Sequence, residues 1–148
     1  MKLNLGCSNQ LLSGYQNVDI CLPADKIADL SKYWPWDDNS VDEIRAYDII
    51  EHLPNKIHTV NEAWRVLKPG GIFDIIVPTT DGRGAFQDPQ HISFWNLNSF
   101  QYYCKGVAEY ERFHVAYGIK CCYSIISKEE SVWPIKVTKL HIALRAEK

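Results

Sequence analysis

A chain of 148 residues has room for one domain with a single sizeable core. Hydrophobic residues make up 46% and charged residues 23%, as in ordinary soluble proteins, and no apolar run approaches the roughly 20 residues of a membrane-spanning helix. The formal net charge of −2 gives no basic surface for nucleic acid.

The charge is uneven. Residues 1–104 carry 8 basic and 13 acidic side chains, whereas residues 105–148 carry 8 basic and 5 acidic. A mildly basic end favours an anionic substrate, although scattered solvated charge explains it as well. The five cysteines (Cys7, Cys21, Cys104, Cys121, Cys122) are odd in number and contain no C-x-x-C pair, so they support neither a disulfide framework nor a zinc site. The apolar stretch in MKLNLG is too short for a signal peptide, and a cytoplasmic protein is expected.

In chain order, Lys2–Leu5 reads as a short strand broken by Gly6, and Asn17–Ile20 as a second after the turn signal Ser13-Gly14. Ile27–Leu30 reads as a third short segment, Tyr33–Ser40 as a loop and Val41–Tyr47 as a fourth strand. Ile57, Val60, Ala63, Trp64 and Leu67 recur at helical spacing and predict a helix with Trp64 in the core. Pro54 opens it and Pro69-Gly70-Gly71 stops it. Ile72–Val77 is nearly all apolar, like a strand buried on both faces of a parallel sheet. Asn96–Cys104 predicts a short helix. From about Phe113, two β-rich runs, HVAYGIKCCYSII and IKVTKLHIALRA, are joined by the small linker SKEESVWP and predict an antiparallel pair. There is no repeat, low-complexity tract or domain linker, so residues 1–148 form one α/β domain with a mostly parallel sheet.

Open sheets of this kind bind ligands beyond the carboxyl ends of their strands. Gly6 offers a sharp turn and close backbone approach. Asp19, ending the second strand, can accept from the vicinal hydroxyls of a ribose, and Asp29 from an exocyclic amine such as adenine N6. Together these suit a nucleoside. A nicotinamide dinucleotide would need G-x-G-x-x-G, and the turn here reads Gly6-Cys7-Ser8-Asn9.

The motifs LNLGCS, NVDI, ADL, DDNSVDEIRAYDIIEHL and WRVLKPGGIFDIIVP, in that order over residues 3 to about 78, resemble the class I S-adenosylmethionine-dependent methyltransferases, in their type 11 branch. DPQHISFWNLNSF also resembles a stretch of small members of that branch. The resemblance implies a Rossmann-like, doubly wound seven-stranded sheet flanked by helices, its last strand antiparallel through a C-terminal hairpin. It implies S-adenosylmethionine as cofactor and S-adenosylhomocysteine as product. Gly6, Cys7 and Ser8 would line the methionine end, and Asp19 would hold the ribose. Ile20 would pack on the adenine, and Asp29 and Leu30 would meet its edge. Tyr47 and Asp48 would run toward the methyl, and Glu51-His52-Leu53 would mark the next turn, with His52 counted among the cofactor residues. The chain departs from the family at Asn4, where an acid is usual, at Ser8, where a second glycine is usual, and in starting inside the first strand. The last departure would leave an apolar flank and suggests a homodimer.

A sulfonium methyl is already activated, so alignment and water exclusion are the main demands. No metal is needed, and no metal cluster is evident in the sequence. The segment Asp81–Trp95 is the candidate acceptor loop. There His91 is the candidate base or orienting group and Asp88 its neighbour, against a simpler reading in which Asp88 caps a turn and His91 bonds backbone. Trp34 and Trp36 could wall the adenine or anchor the core. The sequence thus predicts a methyltransferase acting on a small-molecule or glycan-type acceptor. The alternative is an inactive methyltransferase-fold binding module or partner subunit. Nucleic acid is a poor acceptor, because Tyr47-Asp48-Ile49-Ile50 stands where an N-P-P-Y signature would be.

Overall fold

Seven strands form one sheet in the order β3-β2-β1-β4-β5-β7-β6, in a computed structural model that describes residues 1–148. Strands β1 (Lys2–Leu5), β2 (Gln16–Asp19), β3 (Lys26–Ile27), β4 (Val41–Tyr47) and β5 (Leu67–Pro78) pair in parallel. β7 (Val137–Ala146) runs antiparallel to β5, and β6 (Tyr123–Trp133) antiparallel to β7. This is the mostly parallel α/β sheet with an antiparallel C-terminal hairpin that the sequence predicts.

The central strands explain the order. Leu3, Asn4 and Leu5 of β1 are all buried, so that strand needs neighbours on each edge and cover on each face. β5 instead buries Phe73, Ile75 and Val77 on one face and leaves Ile72, Asp74 and Ile76 half-buried on the other, so it is not the strand buried on both faces that its apolar run predicts. Helix α1 (Lys56–Val66) is capped by Asn55, whose side chain accepts from the His58 N–H, and buries Val60, Ala63 and Val66. A one-turn helix α2 (Gly84–Gln87), a 3-10 segment (Leu97–Tyr103) and helix α3 (Ala108–Tyr117) complete the chain. No helix is long and apolar enough to cross a membrane.

Five other local expectations change. The third strand is Lys26–Ile27, so Ala28–Leu30 of the expected segment lie beyond the ladder to β2. Helix α1 ends at Val66 rather than at Pro69-Gly70-Gly71. Leu67 already pairs with Val41 and Ile72 with Glu43, so residues 68–71 bulge out between two ladder positions. His114–Tyr117, read as the start of a strand, belongs to α3. Tyr110 stacks on His114 at 4.5 Å one turn away, and Gly118 at φ 72 closes the helix. The supposed linker SKEESVWP is mostly strand: Ser131 pairs with Lys139 and Trp133 with Val137, and the chain reverses at Pro134–Lys136. This part of β6 is exposed on both faces, so apolar alternation could not mark it. Trp64 is half-buried at the rim of the core, its Nε1 donating to the Glu147 carbonyl at 3.0 Å.

Trp34 and Trp36 are core anchors rather than walls of a ligand pocket. Trp34 is fully buried, and its Nε1 donates to the Leu30 carbonyl at 3.0 Å. Trp36 donates to Gln16 Oε1 at 2.8 Å.

Candidate functional site

The turns after β1, β2 and β4 meet at one edge of the sheet and enclose a two-part cleft. The larger part, about 680 Å³, is lined by Gly6, Ser8, Asp19, Ile20, Asp29, Leu30, Asp48 and His52 among others. The smaller, about 390 Å³, shares Gly6, Ser8 and Asp48 and adds Cys7, Tyr47, Arg45, Trp133 and Lys139. All ten residues that the sequence nominates for the cofactor border one part or the other.

Gly6 has φ +63, and a Cβ there would lie 2.7 Å from the Cβ of Ile49. Its freedom is therefore needed so that the β1 turn can pack against the β4 turn, which closes the floor of the cleft. Ser8 (φ 44) and Asp48 (φ 51) also hold left-handed backbone without being glycine, on opposite sides of the opening.

The carboxylates are held in place. Asp19 Oδ2 accepts from the Ser8 N–H at 2.8 Å, and Oδ1 from the Ile20 N–H at 2.7 Å. Each oxygen keeps acceptor capacity for a hydroxyl. Asp29 Oδ1 accepts from the hydroxyl and N–H of Ser31, at 2.6 and 2.9 Å, which holds its carboxyl below the ordinary range. Its other oxygen has no partner in the chain. Ile20 is 70% exposed and lines the cleft, so it offers an apolar surface ready to be covered.

Asn4, at the position where an acid is usual in the resembling family, is fully buried. Its Nδ2 donates to Gln10 O and Asn17 Oδ1, each at 2.9 Å, and its Oδ1 accepts from Arg45 at 2.8 Å. The Arg45 guanidinium stacks on the Tyr47 ring, 3.7 Å from its centroid. The Tyr47 hydroxyl donates to Asp74 at 2.6 Å. Burial and that carboxylate push its pKa to about 12, so it stays protonated. Lys139 donates to Asp48 at 2.6 Å.

The candidate acceptor loop folds back over the turn that follows β4. The N–H groups of Ile92 and Ser93 both donate to the Glu51 carbonyl, at 3.0 and 2.9 Å, and Ser93 Oγ donates to the Ile50 carbonyl at 3.0 Å. Trp95 Nε1 in turn donates to Ser93 Oγ at 2.8 Å. Gln90 and His52 bring the loop to the cleft, whereas Asp88 and His91 stand just behind that lining. Asp88 Oδ1 accepts from the Gln90 N–H at 2.8 Å, so it does fix a turn. Its other oxygen lies 3.9 Å from His91 Nε2.

The residue whose chemical role the sequence did not show is Glu51. It is 2% exposed, its Oε1 lies 3.9 Å from His91 Nε2, and its Oε2 is sealed from solvent with no partner. Burial pushes its pKa up to about 7, against the pull of its own backbone N–H, and the charges of Asp48 and Asp88 add to the rise. His52 and His91 meet edge to face at 4.8 Å beside it. Glu51, His52 and His91 thus form a cluster that sequence spacing could not show, because the chain returns to Glu51 only after α1 and β5. An acid beside His52, between the buried Ile50 and Leu53, was the available signal.

Comparison with known proteins bears on the family and the fold. Residues 8–75 match the family described as "Methyltransferase domain". A probable S-adenosylmethionine-dependent methyltransferase of Mycolicibacterium smegmatis is 38% identical over 61 residues, covering 38% of this chain and 24% of the relative. The match therefore spans about a quarter of that protein's length. Among solved structures, a putative sarcosine dimethylglycine methyltransferase from Galdieria sulphuraria superposes with a TM-score of 0.67 at 15% identity, over 99% of this chain and 78% of that one. The 1,6-didemethyltoxoflavin-N1-methyltransferase of Burkholderia thailandensis, solved with its substrate and S-adenosylhomocysteine, gives 0.66 at 13% identity, over 99% and 71%. A putative methyltransferase from Haloferax volcanii, in complex with the Trm112 activator, gives 0.65 at 14% identity, over 99% and 82%.

Proposed function

We propose that this chain, which has the class I S-adenosylmethionine-dependent methyltransferase fold and carries the family's sequence pattern over residues 8–75, binds S-adenosylmethionine and transfers its methyl group to a small-molecule or glycan-type acceptor. The observation that carries the reading is the cleft itself. Asp19, Asp29, Ile20 and the Gly6 turn border one space of about 680 Å³, the size of an ordinary small-ligand pocket.

Bound there, the cofactor supplies a methyl on a positively charged sulfur, ready for in-line displacement. The protein supplies placement. Asp19, fixed by two backbone N–H groups, accepts the ribose hydroxyls, and the unpartnered oxygen of Asp29 accepts from the adenine amine. Ile20 covers one face of the base, and Leu30 closes the floor. The turn of Gly6, Cys7 and Ser8, with Tyr47 and Asp48, borders the methionine end. His52 joins this wall to the acceptor loop. A glycan-type acceptor is supported by the exposed aromatic pair Phe86 and Phe94 on that loop, 5.2 Å apart, because such faces stack on sugar rings. His91 Nε2, beside Glu51 and just behind the cleft lining, takes the proton of an acceptor hydroxyl through a bridging water. Asp88 holds the turn that presents His91.

Calorimetric titration with S-adenosylmethionine and S-adenosylhomocysteine tests the reading. Binding should appear in the wild type and weaken roughly 10- to 100-fold in Asp19→Ala, the loss of one or two charged hydrogen bonds. No binding by a well-folded wild type would replace the proposal with the partner-subunit alternative. That alternative is motivated by Asn4, which is too fully engaged inside the chain to greet a ligand ammonium. A cytoplasmic setting belongs to the proposal. So does a homodimer, for which Leu22 and Ile27 supply exposed apolar surface. A light-scattering mass of one chain would remove the dimer.

A further inference from the structure

We infer that Glu51, His52 and His91 form a site for one divalent transition-metal cation at the wall between the cofactor cleft and the acceptor loop. The existence of the site stands on the side chains alone. Its use in activating an acceptor rests on the methyltransferase reading.

One ligand atom from each of the three residues lies within 4.8 Å of the other two. Metal–ligand bonds of about 2.0–2.2 Å place neighbouring donor atoms roughly 3–3.5 Å apart. The 3.9 Å between His91 Nε2 and Glu51 Oε1 needs only a small contraction to reach this.

The hydrogen bonds settle which atoms face inward. His52 Nδ1 donates to the Gln90 carbonyl at 3.2 Å, and His91 Nδ1 to the Ala85 carbonyl at 3.3 Å. A carbonyl only accepts, so each neutral ring carries its proton on Nδ1 and keeps a lone pair on Nε2. Backbone carbonyls on the far nitrogen are the usual outer support of a ligating histidine. Glu51 adds carboxylate oxygens, one of them sealed from solvent with no donor. Three acceptors therefore converge with no donor among them. Lys139, the nearby cation, is engaged with Asp48. Glu51 is buried and its Oε2 has nothing to accept, which is costly, and a cation would satisfy it together with the two half-buried imidazoles.

The support is rigid. Glu51 and His52 sit on the 3-10 turn Ile50–His52, and the Ile92 and Ser93 amides clamp the loop to it beside His91. Two imidazoles and one carboxylate select zinc, iron(II) or manganese(II) over calcium and magnesium, which prefer all-oxygen sets. Three ligands leave coordination positions open toward the cleft. There a hydroxyl acceptor would ligate the cation and lose its proton to solvent more easily, because the bound oxygen's pKa falls. In the metal-loaded site His91 is then a ligand and the cation takes over the activation of the hydroxyl.

The test uses the whole chain, stripped with a chelator and titrated with zinc(II) by calorimetry and with cobalt(II) by visible absorption. The expected result is one zinc per chain, a raised melting temperature and a cobalt spectrum of low coordination number. Glu51→Gln and His91→Asn should each weaken zinc about 100-fold or more. Excess magnesium should not compete. Both variants should still bind S-adenosylhomocysteine, since neither side chain lines the cleft. Absence of stoichiometric zinc binding in the folded wild type overturns the site, as does undiminished binding in Glu51→Gln. Zinc bound by the wild type and lost in both variants, with no S-adenosylhomocysteine bound by any of them, would uphold the site and overturn the methyltransferase reading instead.

Discussion

Two buried glutamates of this chain meet opposite surroundings. Glu62, on α1, accepts from Arg65 Nε at 2.9 Å and Nη2 at 2.8 Å, and from the Trp34 N–H at 2.8 Å. Arg65 spends its remaining donors on the carbonyls of Trp36 and Trp34 and on Asp38. Both carboxylate oxygens and every guanidinium proton there have a partner, and the network ties the Trp34–Trp36 loop to α1. Glu51, on the turn after β4, has acceptors for neighbours and an oxygen with no partner. Burial alone would raise the Glu62 carboxyl, but Arg65 and the Trp34 N–H outweigh it and hold it below the ordinary value. Burial raises Glu51 unopposed by any cation in contact. The difference separates scaffold from function: a satisfied buried charge holds the fold, and an unsatisfied one waits for something the chain does not supply.

The largest effect should come from the unsatisfied side. In the metal-free protein, His91→Ala should reduce turnover about 1,000-fold, the usual scale for a removed proton-transfer group, while cofactor affinity holds. An equal fall in affinity and turnover would make His91 structural and blur the contrast. On the satisfied side, Glu62→Ala should cost roughly 3 kcal/mol in urea unfolding by removing the buried partner of Arg65 and leaving the Trp34 N–H unpaired. Glu51→Gln, which removes an unpaired buried charge, should be neutral or stabilising in the metal-free protein. A comparable loss in both would mean that the two glutamates are not the opposites described.

Gly6→Ala tests the floor between the two regions. Its left-handed φ and the contact with Ile49 should cost about 2 kcal/mol and abolish cofactor binding. The smallest effect concerns acid. The folded state holds Glu62 below its ordinary value near 4.5, so the stabilisation it gives is complete above that pH and drains away as pH falls below it. Melting curves of the wild type and Glu62→Gln should therefore differ near pH 6 and converge toward pH 3.

The parallel half of the sheet was legible because each of its strands ends in a residue with one physical job, such as Gly6, Asp19 or Asp48. The apolar run Ile72–Val77 was legible as a strand, although only Phe73, Ile75 and Val77 on one face are fully buried. The outer hairpin was less legible. Its solvent-facing stretch carries no apolar period, so only the ladder to β7 reveals it. Helix α3 was hidden by Val115, Tyr117 and Ile119, which suit a strand, although Gly118 after an acidic first turn was a helix signal. At the site, residues on the turns after the strands could be nominated from order and spacing, and the structure gathers them around one cleft. Glu51 could not, since its meaning depends on His91, which reaches it through tertiary folding.

The exposed hairpin has a consequence for how copies of the protein meet. Every sheet that is not closed into a barrel has two open edges, and an open edge invites a foreign strand. One edge here is β3, two residues long and too short to template anything. The other is β6, whose outer stretch carries Lys128, Glu129 and Glu130 in full solvent. Charge guards the long edge and brevity guards the short one. Growth of the sheet from molecule to molecule, the first step toward a fibre, is discouraged at both ends.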